Sequence, residues 1–149
     1  MLLRKVVSMK VAALDPGKHC GFAFMELGDK LHQCGLVMDD YHYVSELLDM
    51  IDRFNPNVLV IEDFRLSPHK AMQQSWDKME TPRIIGILDY WAWQRGLPVI
   101  FQQPSTKQAF PDARLKKMGL YQSNIHTRDA IRHGLYFLHF GLKKRGELP

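Results

Sequence analysis

Hydrophobic positions along the chain follow two patterns, short apolar runs and helically spaced apolar residues. Val11-Ala12-Ala13-Leu14 is a short run that stops at Asp15-Pro16-Gly17, a turn signal. A second run over residues 21–27 reaches Gly28-Asp29, a hairpin signal, and residues 31–37 supply the returning strand. Three antiparallel strands therefore open the chain. From Tyr41 to Phe54, Val44, Leu47, Leu48 and Ile51 recur at helical spacing, and Asn55-Pro56-Asn57 ends the helix. Residues 58–61, Val-Leu-Val-Ile, are continuously apolar, as in a strand buried on both faces. The helix before them is the crossover that a parallel pairing needs.

Thr81-Pro82 opens another helix, with Thr81 as N-cap and Pro82 as its first residue. Ile84, Ile85, Leu88, Trp91 and Ala92 lie along it, and it runs to Gly96. Residues 97–101 form one more short strand, and from Pro104 onward the pattern is helical. Ser123 or Asn124 caps a last helix over about residues 125–140, before Gly141 and the basic Lys143-Lys144-Arg145. The order predicts an α/β fold on a mixed five-stranded sheet, three antiparallel strands then two parallel ones, flanked by helices.

Composition adds limits. The 149 residues fit a single domain spanning 1–149, large enough to bury roughly 68–70% of its unfolded surface. A content of 46% hydrophobic and 24% charged residues is that of an ordinary globular protein. The net charge of +4 is compatible with a polyanionic partner without singling one out. Cys20 and Cys34 form no Cys-x-x-Cys pair and no zinc spacing, so they read as reduced, packed thiols. The N-terminal segment is too short and too soon interrupted for a signal peptide, and no apolar run approaches a membrane span. A cytoplasmic location is expected.

Candidate chemistry sits at the ends of these elements. Asp15 ends the first strand and Glu62 follows the buried run 58–61. Strand ends are normally solvated, and an acid there is commonplace. A third acid changes the balance. Asp129 lies early in the last helix, three residues after His126, so the two share a helix face. A solvated helix start with a dipole-favoured acid is the plain alternative. If that face covers the sheet, three carboxylates converge, and a divalent cation is what lets them persist together. Magnesium takes oxygen ligands and is commonly shared between carboxylates and substrate phosphates. Two such ions can clamp an in-line phosphoryl displacement. His126 adds an imidazole that could assist proton transfer or stabilise charge there.

These residues carry a family resemblance. Leu14-Asp15-Pro16-Gly17 followed by Gly21-Phe22-Ala23 resembles the first motif of RuvC-type Holliday junction resolvases. Val60-Ile61-Glu62-Asp63-Phe64 resembles their second acidic motif, and Gln103-Pro104-Ser105-Thr106-Lys107 the segment leading to their basic DNA-contacting region. His126-Thr127-Arg128-Asp129-Ala130 resembles their last motif. The similarity spans Leu14 to Gly134 and is nearest to compact bacteriophage versions, in Glu62-Asp63-Phe64-Arg65 and in the helix start from Thr81 to Gly86. The resemblance implies an RNase H-like fold, a homodimer, two Mg2+ ions per active site with Mn2+ as a substitute, and paired nicks across branched, four-way DNA. It implies Asp15, Glu62 and Asp129 as metal ligands, with His126 completing the catalytic set. His126 stands where many relatives have Asp, so a fourth carboxylate is absent. Phe64 is the aromatic nearest the second acid, though not at the spacing of the junction-stacking aromatic of bacterial resolvases.

Basic residues flank the site in sequence: Arg65, Lys70, Lys78 and Arg83 after the second acid, and Lys107, Arg114, Lys116 and Lys117 after the last strand. Of these, Arg65, Lys70, Lys107, Arg114, Lys116 and Lys117 are candidate phosphate contacts, the alternative being a solvated helix face. Lys107 is the best placed, falling inside a family-like motif. Trp91 and Trp93 belong to an apolar helix and read as core or dimer packing, whereas Trp76, in a polar segment, is a candidate for base contact. His69 is a weaker DNA-contact candidate, and the other histidines read as structural or exposed. Ile84, Ile85, Leu88 and Trp91 offer an apolar helix face for a dimer. The competing readings are an RNA-processing nuclease of the YqgF type and a junction-binding protein that kept the fold without catalysis. A sugar-kinase or actin-like ATPase needs two domains, which this length does not supply.

Overall fold

The computed structural model describes residues 8–17, 19–38, 41–64 and 80–142. Its centre is a five-stranded sheet in the order β3-β2-β1-β4-β5. Strands β1 (Lys10–Asp15), β2 (His19–Glu26) and β3 (Lys30–Met38) pair antiparallel, and β1 pairs parallel with β4 (Val58–Glu62), which pairs parallel with β5 (Val99–Gln102). This is the polarity expected from the sequence. The β2–β3 turn holds Gly28 and Asp29 at φ 91° and 58°. Glu26 pairs with Lys30, so Leu27, Gly28 and Asp29 make the turn, and its two positive-φ positions fall on residue types that tolerate the left-handed conformation.

Side-chain alternation sorts the core into two layers. Val11, Ala13, Ala23, Met25, Val58 and Val60 face one side, where the C-terminal helices pack. Ala12, Leu14, Phe22, Phe24, Leu59 and Ile61 face the other, against α1 (Tyr41–Phe54) and α2 (Glu80–Gln94). The central strands are buried on both faces, which is why 58–61 is unbroken in apolar character. After β5 come a 3-10 turn (Pro104–Ala109), a short α3 (Asp112–Met118) and α4 (Ile125–Tyr136). Helix α4 then continues as a wider π turn, Phe137–Gly141, which keeps Phe137, Leu138 and Leu142 in the core.

Two expectations need correction. Helix α2 begins at Glu80, so Thr81 and Pro82 lie within its first turn and Thr81 is not the cap. More consequentially, Ile84, Leu88 and Trp91 do not form a free face: they are buried against α1 and the sheet, with Ile85 partly buried beside them. What α2 exposes instead is Tyr90 and Trp93, 61% and 74% accessible, their rings stacked with centroids 5.9 Å apart. No described helix is long and apolar enough to cross a membrane.

Candidate active site

The same alternation that builds the core aims the acids. Asp15 continues the parity of Val11 and Ala13, and Glu62 that of Val58 and Val60, so both point to the α4 side. The parallel register pairs Leu14 with Ile61, which sets the two carboxylates side by side at adjoining strand ends. Gln102 pairs with Glu62 on the next strand.

Helix α4 brings the third acid. Asn124 caps it, its Oδ1 accepting from the backbone N–H groups of His126 at 2.9 Å and Thr127 at 3.2 Å. The Thr127 hydroxyl donates to the Gly35 carbonyl at 3.1 Å, tying the first turn to β3. Gly21, opposite Asp15 in the β1–β2 register, lets this turn lie directly on the sheet. A Cβ there would stand 2.0 Å from the His126 carbonyl oxygen. Gly134 permits a similar approach farther along, where a Cβ would meet the Met25 sulfur at 2.8 Å.

Asp15, Glu62 and Asp129 converge: one carboxylate oxygen from each lies within 4.8 Å of the others. Charged and polar groups then divide their oxygens. His126 Nδ1 is 3.2 Å from Asp15 Oδ2. Arg132 Nη1 donates to Asp129 Oδ1 at 2.8 Å, and its Nε donates to the Phe110 carbonyl. Its other terminal nitrogen pairs with Asp112. His133 Nε2 is 2.9 Å from Glu62 Oε2. Lys107, from the 3-10 turn, reaches into the cluster, with Nζ 3.1 Å from Asp129 Oδ2 and 3.3 Å from Glu62 Oε1.

The electrostatics follow from this division. Burial, reinforced by the neighbouring Glu62 and Asp129, pushes Asp15 up to about 8. Burial also works upward on Glu62, but the His133 hydrogen bond and charge, with Lys107, outweigh it and hold Glu62 at about 2. Burial works against the Lys107 ammonium, yet Glu62 and Asp129 more than offset this and raise its pKa. In the metal-free cluster, then, burial and the two neighbouring carboxylates drive Asp15 toward its protonated form despite an internal lysine. Three oxygen donors so close together, one of them driven toward protonation for want of positive charge, suit a hard divalent cation.

All four residues singled out from sequence for chemistry, Asp15, Glu62, His126 and Asp129, meet here. Lys107 is in the cluster rather than on an open phosphate-facing surface. Arg114 donates to the Ala109 carbonyl and stacks over Phe110, Lys116 lies over Tyr121, and both are exposed on α3 with Lys117. Phe64 follows β4, partly buried. Arg65, Lys70, Trp76 and His69 lie outside the described residues. Sequence reasoning missed Arg132 and His133. Their signal was present: they follow Asp129 by three and four residues, on its helix face.

No protein-family model matches the chain, and no curated protein sequence matches it. Solved structures do. RuvC of Thermus thermophilus in complex with a Holliday junction substrate aligns at a TM-score of 0.67 and 21% identity, over 93% of this chain and 97% of that one. Fowlpox virus resolvase in complex with Holliday junction DNA aligns at 0.61 and 18%, over 90% and 99%. The yeast mitochondrial Holliday junction resolvase Ydc2 aligns at 0.50 and 14%, over 94% and 85%. At nearly full mutual coverage, the chain has the RNase H-like fold of the RuvC-type Holliday junction resolvases.

Proposed function

We propose that this protein is a metal-dependent endonuclease that resolves four-way and other branched DNA junctions. The observation that carries the reading is the convergence of Asp15, Glu62 and Asp129, oxygens within 4.8 Å, at adjoining strand ends of this fold. The three carboxylates would hold Mg2+, or Mn2+ in its place, as a pair of ions. When bound, the ions supply Lewis-acid stabilisation and a nucleophile from water. The chain's own groups do the rest. His126, 43% accessible beside Asp15, would be the group that moves a proton beside the scissile phosphate. Lys107, released from its carboxylates, can pair with a phosphate oxygen. Arg114, Lys116 and Lys117 extend the positive surface along α3, giving salt-dependent affinity without sequence readout.

Paired nicks need two sites, so the active species in this reading is a homodimer. The face that suits a second copy is the exposed stripe of α2 with Tyr90 and Trp93, near the small Gly86, rather than the buried Ile84–Leu88–Trp91 side. The setting would be recombination and repair or phage DNA processing, in the cytoplasm. The test is a panel of labelled four-way, three-way, flap and linear DNA, with an RNA duplex alongside, incubated with Mg2+. Preferential nicking of the four-way junction is expected. Preferential cleavage of RNA would favour the YqgF-type reading instead.

A further inference from the structure

Helix α4 does more than deliver Asp129. Three of its side chains each take one oxygen of one acid: His126 on Asp15, Arg132 on Asp129, His133 on Glu62. His133 is the one of the three with no solvent access at all. Around it α4 presents small or apolar residues to the sheet, Ala130, Ile131, Gly134 and Leu135. A buried imidazole in such a setting costs free energy unless both nitrogens are bonded. Both are. Nε2 meets Glu62 Oε2 at 2.9 Å, and Nδ1 meets the Gln102 side-chain oxygen at 2.8 Å, with the Thr106 hydroxyl at 3.5 Å. Gln102 is itself buried and neighbours Glu62 across the β4–β5 register, so the relay Gln102–His133–Glu62 closes on itself.

We propose that His133 is a positioning residue that holds Glu62 with Oε2 on the buried ring and Oε1 turned into the carboxylate cluster. Without it, a glutamate at a strand end has free torsions and no reason to aim one particular oxygen at a cation. Oε1 now faces Lys107 Nζ at 3.3 Å, the place where positive charge belongs in the cluster. The histidine also locks α4 to β4, so the third acid and the second are set by one helix. The inference rests on the metal-site reading above and concerns how the site is kept in shape.

The test is Mn2+ titration by calorimetry on the full-length protein without DNA, for the parent, H133F, H133Q and Q102L, with melting curves of each in EDTA. Outer hydrogen-bonding partners of metal ligands are typically worth about 10–100-fold in affinity. Weakening of about tenfold or more is expected for H133F, with H133Q, which keeps a donor, returning to within a few-fold of the parent. Q102L, which frees the ring at Nδ1, is expected to lose several-fold and provides the test if H133F does not fold. A folded H133F with parent Mn2+ affinity and only a lower Tm would overturn the proposal and leave His133 as packing. Parent-like affinity in Q102L, where H133F is unfolded, would overturn it equally. Absence of Mn2+ binding by the parent would overturn the inference together with the metal-site reading. Parent Mn2+ binding without cleavage of any nucleic acid would count against the nuclease reading alone.

Discussion

Replacing Gly21 by alanine should injure the site more than a single methyl suggests. The added Cβ would lie 2.0 Å from the His126 carbonyl oxygen, 2.3 Å from its carbon and 2.8 Å from the Thr127 nitrogen. These are main-chain atoms of a capped helix turn, so no side chain can swing aside. Reaching even 3.0 Å requires a retreat of 3.0 − 2.0 = 1.0 Å. His126 rides on the displaced turn and Asp129 one turn on, while Asp15 stays behind on the strand opposite Gly21. The gap therefore opens within the acid cluster itself. A 1 Å misplacement of catalytic groups costs on the order of 100-fold in rate. Overpacking of this kind costs about 1–3 kcal/mol, or roughly 2–12 °C in Tm for a chain of this length. The assay is junction nicking at saturating Mg2+ beside a thermal melt. G21A with the parent's rate and melting temperature would refute the packing of α4 on β2 and the dependence of the site on it.

The ionisation pattern makes a second prediction with a definite sign. Asp15 stands at about 8 in the folded protein against 3.8 unfolded, so between those values the folded state holds a proton that the unfolded chain has lost. Metal-free stability must then decline as pH rises from about 4 to about 8. Glu62, at about 2 against 4.5, contributes stability that is present above 4.5 and lost as pH falls toward 2. Melting in EDTA should give a Tm that falls between pH 5.5 and 8.5, a fall abolished in D15N and suppressed by saturating Mg2+; a rising Tm would contradict the assignment. K107M should lower metal-free stability by about 1–3 kcal/mol, because two partly buried carboxylate oxygens lose their cation. The same variant should bind Mn2+ at least as tightly as the parent while cutting more slowly, measured by calorimetry and a nicking time course. Weaker Mn2+ binding would show that the ammonium is not where the cation belongs.

Much of this architecture was legible before any coordinates, because period-two burial leaves a direct mark. The runs at 11–14 and 58–61 are apolar at every position since helices cover both faces, and the acid that ends each run inherits its direction from strand parity. The hairpin announced itself through Gly28-Asp29, which tolerate positive φ. Helix α2 misled because it is apolar nearly all round: hydrophobicity marked Ile84, Leu88 and Trp91 but did not say whether they faced this chain or another. Lys107 was grouped with the phosphate-binding residues because sequence shows charge but not reach, and only the 3-10 turn after β5 carries it into the cluster. His133 went unassigned because a buried histidine on a helix is ordinarily packing. Its meaning depends on Glu62, 71 residues away.

The central claim is that Asp15, Glu62 and Asp129 form a metal centre for cutting branched DNA, and D129N tests it most directly. Parent protein and D129N are compared on one labelled four-way junction, in Mg2+ for nicking and in a metal-free gel shift for binding. Paired nicks by the parent, loss of nicking by at least about 100-fold in D129N, and junction affinity retained through the basic residues are the expected result. Full nicking by D129N, or parent nicking undiminished by EDTA, would contradict the account.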